Sequence, residues 1–450
     1  MFDLLPAQSP NSRPLEGQPV TGVKVDSRQV VPGDLFVALA GDPGERFNPS
    51  KRSEIDGHDY LADALSRGAV AALVSQRRDV PIDQYVCTDT YAGLWRLGAQ
   101  ARSRLADPVI AITGSSGKTT AKYFLSAALD AYAPPGSLNN HIGVPLSLAN
   151  AQLDAPAWVF EIGTSRPGEI QPLTAMVQPT LAILLNVQRA HIENFASRHA
   201  LLAEKAEIFS TLPSDGLRVI HDELDLPGYR FGYRQDAQAR ILGLENDVMA
   251  LSLFGERISA RVPGGGEHRA LTLCACILAT KLLQIDLEAV LSLEHSLVPQ
   301  GRGNIRYRGG VEIVDDSYNA NPASMEAALT AFLATPAKGR RYVVLGDMRE
   351  LGGESAQAHR RLIERVVNAP SLNGIVLVGD AMGQALSERG GGSKGERIAS
   401  NSLMHYSNSS EALASALTKR LSPGDRLLVK GSNTIFWSEN FVEQLLSYLE

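Results

Sequence analysis

The sequence predicts an α/β protein of three domains, and three observations lead there. Short apolar runs alternate with helical periodicity from about residue 106 onward, the pattern of βαβ units around a mostly parallel sheet. That alternation restarts near residue 301 with its own set of strands and helices. The 450 residues also exceed one ordinary domain, for which roughly 100–200 residues is usual.

The first block, about residues 1–105, opens with a β-like stretch, VTGVKVDSRQVVPGDLFVALAG. A helical stretch, HDYLADALSRGA, and a short strand, VAALV, follow. The polar, turn-rich DPGERFNPSKRSEIDG between them is expected to be a surface loop. The second block, about 106–300, begins with the buried-strand signal PVIAITG and repeats it at WVFEIG and LAILLNV, with helical patterns at GEIQPLTAMV and RHALLAEKAEIFSTL. In the third block, about 301–450, VEIVDD, RYVVLGD, GIVLVGD and RLLVKGS read as strands, each followed by a helical stretch such as PASMEAALTAFL. The GGGSKG run at 390–395 reads as a mobile surface loop. Two α/β domains in series leave a crevice between them, a usual position for a two-substrate site.

Composition narrows the class. With 44% hydrophobic and 20% charged residues, the chain is that of a packed globular protein. A formal net charge of -6 argues against a nucleic-acid partner, which calls for a basic footprint. Cys87, Cys274 and Cys276 show no CxxC pairing, so neither a disulfide framework nor a zinc site is expected, and a reducing compartment suits them. The start lacks a basic region followed by an apolar one, and no apolar run approaches a bilayer span. A cytoplasmic location, no membrane insertion and a monomer are therefore expected.

The segment Thr113 to Thr120, TGSSGKTT, lies where a strand hands over to a helix. Gly114, Ser115, Ser116 and Gly117 allow a tight turn whose N–H groups can face phosphate oxygens, and a helix N-terminus adds partial positive charge. Lys118 can reach the terminal phosphates of ATP, the Thr119 hydroxyl can ligate Mg²⁺, and Thr120 completes the loop. The spacing is shorter than GxxxxGK[ST], because Ile112 stands where the first glycine belongs. The expectation is a central P-loop-type, parallel-sheet ATPase domain, with a Rossmann-like domain after it.

TGSSGKTT is followed by LNNHIGVPLSL, EIGTSRPGEI and NVQRAHIENF, and the third block carries DDSYNANPASMEAAL and LGDMRELG. In this order these strings resemble the Mur ligases of peptidoglycan synthesis, over nearly the whole chain. VDSRQVVPGDLFVAL with DGHDY resembles that family's UDP-sugar-binding domain. The third-block strings resemble the branch that joins D-alanyl-D-alanine to UDP-N-acetylmuramoyl-tripeptide, so those two small molecules are the substrates the resemblance implies. The reaction it implies is amide ligation through an acyl phosphate formed with ATP and Mg²⁺. The alternatives are a related ligase adding another amino acid or peptide, and a non-catalytic relative of the fold.

The resemblance implies roles residue by residue. Glu161 and His191 match metal ligands, and Lys205, in AEKAEI, matches a lysine whose carbamylation turns a cation into an anionic ligand for a second Mg²⁺. Lys118, Lys205, His191 and Glu161 are thus the catalytic set. Asn139 and Asn140 can hydrogen-bond the muramoyl-peptide side, and Ser27 and Arg28 are the first block's candidates for the UDP moiety. Arg302 suits a phosphate clamp because a guanidinium matches phosphate geometry. Asp316 could hold the ATP ribose, and Lys430 could meet the dipeptide carboxylate or a phosphate. Asn319 and Asn321 could orient nucleotide or dipeptide, or serve turn chemistry before Pro322. Arg269 and Thr272 follow His268 where family members commonly carry asparagines near the adenine pocket.

Overall fold

The computed structural model describes residues 20–41, 55–106, 108–188, 194–294, 297–389, 397–398, 401–412 and 421–449. His191, residues 42–54 of the loop expected at 42–57, and the GGGSKG run lie outside the described residues.

Three sheets follow one another along the chain. The first is four parallel strands in the order β1 (Gly22–Lys24), β2 (Asp34–Val37), β3 (Ala71–Val74) and β4 (Asp83–Val86). Helix α1 (Leu61–Ser66) precedes β3 and α2 (Thr90–Arg102) follows β4. Strand alternation divides the apolar residues between the two faces. Leu35, Val37 and Leu73 pack with Leu94 and Leu97 of α2, while Phe36, Ala72 and Val74 pack with Leu61 and Ala64 of α1.

The second sheet has eight strands. In chain order its elements are β5 (Val109–Thr113), α3 (Lys118–Leu129), α4 (Gly143–Ala149), β6 (Trp158–Glu161), α5 (Ile170–Val177), β7 (Leu181–Leu184), α6 (Arg198–Ala206), β8 (Leu217–His221), β9 (Tyr229–Gly232), β10 (Ala239–Glu245), β11 (Val248–Leu253), β12 (Glu256–Arg261), α7 (Glu267–Leu282) and α8 (Glu288–Leu291). Strands β6-β5-β7-β8-β9-β10 are parallel, and β11 and β12 extend the sheet as antiparallel hairpins. Asn246 and Asp247, both at positive φ, make the β10–β11 turn, the backbone a tight hairpin requires. β5 is apolar throughout because helices cover both faces: Ile110 and Ile112 face Phe124 and Cys276, Val109 and Ala111 face Leu148 and Val177. Cys274 and Cys276 are core residues of α7, and burial pushes both thiols up, Cys274 to about 12.

The third sheet has the order β13 (Asn304–Arg308), β14 (Val311–Asp316), β19 (Arg426–Lys430), β15 (Arg341–Gly346), β16 (Gly374–Val378), β18 (Asn401–Tyr406), β17 (Arg397–Ile398). Its two edge strands are antiparallel and the interior is parallel. Helices α9 (Pro322–Ala334), α10 (Ser355–Val367) and α11 (Asp380–Glu388) accompany it, with α12 (Ser409–Ala412) and α13 (Phe441–Tyr448). Val343 and Leu345 face Met325 of α9 and Ile363 of α10, while Val344 faces Phe441 and Leu445 of α13.

The first domain is tied to the second by specific contacts. Trp95 Nε1 donates to the His141 carbonyl at 2.7 Å. Arg102 donates to the carbonyls of Val177 at 2.5 Å and Gln178 at 2.8 Å. Gly98 lets α2 lie on α4, because a Cβ there would sit 2.8 Å from Pro145 Cα. Among the described residues no helix is long and apolar enough to cross a membrane.

Candidate functional site

Strand β5 delivers the phosphate loop to the C-terminal edge of the central sheet, where parallel sheets present ligands. Gly117 is the N-cap of α3 at φ 84°, and no side chain caps that helix. A Cβ at Gly117 would combine that left-handed backbone with a 3.0 Å approach to Thr272 Oγ1. Lys118 Nζ donates to the Gly114 carbonyl at 2.7 Å and so lies back across its own loop. Burial lowers its pKa to about 8, with Glu161 opposing the fall and Arg302 adding to it.

Two expected phosphate donors are occupied. Ser115 N–H and Ser116 N–H donate to Asn186 Oδ1 at 3.1 and 3.0 Å, and Asn186 Nδ2 returns a bond to the Ser116 carbonyl at 3.2 Å. Asn186 stands just past β7, beside the loop, and its amide matches the turn's exposed backbone groups. The anion-facing part of the loop is thereby concentrated at the α3 N-terminus.

Glu161 ends β6 and receives bonds from two directions. Thr119 Oγ1 donates to its Oε2 at 3.1 Å and Ser137 Oγ at 3.3 Å. Its Oε1 lies 3.0 Å from Lys122 Nζ, and both side chains are fully buried. Oε1 lacks a well-aligned hydrogen bond, because Lys122 aims donors at the carbonyls of Pro134 (2.6 Å) and Gly136 (2.5 Å). The contact is an ion pair by proximity. Thr119 and Lys122 are three apart on α3 and so grip one carboxylate from one helix face. Lys122 was not legible beforehand, since a lysine inside AKYFLSAA reads as a solvated helix residue.

The remaining candidates divide into those the fold assembles and those it uses otherwise. Arg302 Nη2 donates to Thr119 Oγ1 at 3.2 Å, and its guanidinium lies 4.0 Å from the centre of the Tyr318 ring. Asn139 donates to Ser137 Oγ at 3.0 Å, whereas Asn140 Oδ1 accepts from Ile142 N–H and Gly143 N–H in the turn that leads into α4. Asp316 and Lys430 pair at 2.8 Å, and Lys430 also donates to the Asn319 carbonyl at 3.0 Å. Asn321 is the N-cap of α9 in a capping box with Ser324, so turn chemistry before Pro322 is realised. Ser27 is buried, and Arg28 is an exposed side chain forked onto Asp26 at 2.9 and 2.7 Å. Neither lines the cavities described next; the first domain contributes Gly41, Tyr91, Ala92 and Trp95 instead.

Two cavities meet at this cluster. The larger, about 780 Å³, runs from Tyr91 and Trp95 past Asn139, Asn140 and Thr164 to Lys118 and Thr119. The smaller, about 350 Å³, lies between Asn186, His221, Phe231 and Tyr233 on one side and Asp316, Asn321 and Lys430 on the other. Ser115, Ser116, Gly117, Arg302 and Asn319 line both.

Sequence comparison supplies the family. Residues 112–279 match the Mur ligase middle domain, and residues 301–433 match the Mur ligase, glutamate ligase domain. The UDP-N-acetylmuramoyl-tripeptide–D-alanyl-D-alanine ligase of Treponema pallidum is 32% identical over 92% of this chain and 91% of its own. The Escherichia coli enzyme of the same name is 32% identical over 81% and 83%. The chain belongs to the Mur ligase family. Solved structures agree: a MurF from Acinetobacter baumannii superposes with TM-score 0.78 at 28% identity, covering 95% of this chain and 94% of that one. MurF from Thermotoga maritima in complex with ADP superposes with TM-score 0.76 at 26% identity, covering 96% and 98%.

Two features of this Mur ligase bear on chemistry. Lys205, on α6, is buried, and burial lowers its pKa to about 7, with Lys118 adding to the fall and Glu204 opposing it. Glu204 itself accepts from the N–H groups of Gly168, Glu169 and Ile170 at 2.7–3.0 Å. Arg269 borders the smaller cavity and donates to the carbonyls of Gly264, Gly265 and Arg302 at 2.7, 3.0 and 2.9 Å. Thr272 Oγ1 donates to the His268 carbonyl at 3.0 Å, and burial holds His268 well below its ordinary pKa.

The donor set suits Mg²⁺. Thr119 and Glu161 offer a hydroxyl and a carboxylate oxygen 3.1 Å apart, and among the described residues no group of three His, Cys, Asp or Glu side chains gathers. Mg²⁺ characteristically binds one or two carboxylates and fills its octahedron with waters and substrate phosphates.

Proposed function

We propose that this chain joins D-alanyl-D-alanine to UDP-N-acetylmuramoyl-tripeptide with ATP, through an acyl phosphate. The observation that carries the reading is the shared wall: Arg302 and the Ser115–Gly117 turn border both cavities, with Lys118 and Thr119 beside them. ATP occupies the smaller cavity, with Asp316 toward the ribose and its terminal phosphate at the α3 N-terminus. The tripeptide's terminal carboxylate enters from the larger cavity, past Asn139 and Asn140. The UDP end is held by the first domain, residues 1–105, and the incoming dipeptide by the third, residues 301–450, near Asn319 and Lys430.

The chemistry brings two anions together. A carboxylate oxygen attacks the γ-phosphorus and the bond to the bridging oxygen of ADP breaks. The amine nitrogen of the dipeptide then attacks the acyl carbon, the C–O bond to phosphate breaks, and the amine loses a proton. Lys118 and Arg302 offset the charge repulsion of the first step, where preorganised cations act most strongly. Bound Mg²⁺ would supply further charge neutralisation at the phosphates, held by Thr119 and Glu161. His191 belongs with Thr119 and Glu161 to that ligand set in this reading, and a carbamylated Lys205 would serve a second Mg²⁺. The low pKa of Lys205 supports it, because only the neutral amine reacts with CO₂. Three free cysteines suit the cytoplasm.

Phosphate release from MgATP tests the assignment. Release requiring both UDP-N-acetylmuramoyl-tripeptide and D-alanyl-D-alanine is expected. Equal release with neither, or none with both, refutes it.

A further inference from the structure

Arg302 hangs from the linker between the central and third domains, and that linker is held by a residue with no part in the reaction proposed above. The linker reads Gly301-Arg302-Gly303, with both glycines at positive φ, 69° and 88°. Arg269, in the first turn of α7, reaches across from the central domain. Its Nη2 donates to the Arg302 carbonyl at 2.9 Å, while Nη1 donates to the carbonyls of Gly264 and Gly265 at 2.7 and 3.0 Å. The guanidinium is thus a three-bond bridge from the β12–α7 turn to the backbone of one linker residue. Room for it is built in: a Cβ at Gly303 would lie within 2 Å of Arg269 Nη2, at 1.9 Å, and one at Gly264 would lie 3.2 Å from Arg269 Cζ.

The far side of the same linker is fixed by the third domain. Tyr318 N–H donates to the Gly301 carbonyl at 2.9 Å, and Gly303 N–H donates to the Asp315 carbonyl at 2.6 Å. The Tyr318 ring then supports the Arg302 guanidinium, which reaches Thr119. Backbone position and side-chain aim of Arg302 are therefore set from two domains at once. Arg269 is 6% exposed, and a buried guanidinium whose Nη1 and Nη2 donate to three carbonyls has a geometry lysine cannot reproduce.

We infer that Arg269 is a positioning residue that seats Arg302 on the phosphate loop by pinning the interdomain linker to the β12–α7 turn. The inference rests on the reading of Arg302 as a phosphate clamp. A residue acting only through Arg302 loses its effect when Arg302 is gone, whereas a general structural role persists.

A double-mutant cycle on kcat/KM for ATP separates these. Arg269→Met lowers kcat/KM by about tenfold in the parent chain and by no more than about twofold in the Arg302→Ala background. Arg269→Lys, which keeps the charge but not the three-way bridge, gives the same pattern and stands in if the methionine variant folds poorly. Equal losses from Arg269 substitution in both backgrounds overturn the inference. If Arg302→Ala alone leaves kcat/KM unchanged, the clamp reading falls, and the positioning role falls with it.

Discussion

Lys205 is a buried amine in the last turn of α6. Held within the fold, it loses hydration that an ammonium requires, and Lys118 adds repulsion, so its pKa falls to about 7 from an ordinary 10.5. Between those values the unfolded chain binds a proton that the folded chain does not. Stability contributed at this site therefore rises with pH above about 7, with a slope approaching about 1.4 kcal/mol per pH unit. Denaturant unfolding in CO₂-free buffer at pH 7 and pH 9 measures it. The parent chain is expected to gain stability over Lys205→Met as pH rises; parallel curves would mean a charged Lys205 and would remove the basis for a carbamate. Of the residue-scale features, the turn between β5 and α3 was legible because its signal is local: glycines, Lys118 and Thr119 are adjacent in sequence. The roles of Asn186, Lys122 and Arg269 were not, because each bonds at least one partner 12 to 71 residues away that only the fold brings close. Asn321 was legible as one of two readings, and its capping box with Ser324 realises the local one.

At the scale of elements, α3 does more than present a phosphate site. Its Thr119 and Lys122 hold Glu161 at the end of β6, and Lys122 also binds the turn that leads to Ser137 and Asn139. One helix thus registers the end of β6 against the loop facing the larger cavity. Removing one partner of a buried ion pair leaves the other charge uncompensated, which typically costs about 3–5 kcal/mol. Lys122→Met is expected to destabilise the chain by that order in urea unfolding, and Glu161→Gln in the same chain to recover part of it. Additive losses would show that the two side chains are energetically independent despite their 3.0 Å separation. The apolar strands β5, β6 and β7 were legible as continuous hydrophobic runs, since both sheet faces are covered. The β10–β12 hairpins were harder to see. Their solvent-facing residues break the apolar runs, and their turn, Asn246-Asp247, lies among other polar residues.

Across the whole molecule, all three domains contribute residues around one junction. The first domain is docked through Trp95, Gly98 and Arg102, and the third hangs from the linker at Arg302. The three-domain α/β organisation was legible from periodicity and length, because each domain repeats its own strand-helix rhythm. Which residues border the larger cavity from the first domain was not, since Tyr91 and Trp95 lie on an amphipathic helix whose apolar positions read as core. The shared wall between the cavities suits passage of a phosphoryl group from one bound substrate to the other. The most direct test follows an oxygen atom. UDP-N-acetylmuramoyl-tripeptide carrying ¹⁸O in its terminal carboxylate is turned over with MgATP and D-alanyl-D-alanine, and the released phosphate is analysed by mass. An acyl phosphate requires one ¹⁸O in each phosphate formed from doubly labelled carboxylate, because the C–O bond breaks when the amine attacks. Unlabelled phosphate would contradict the account.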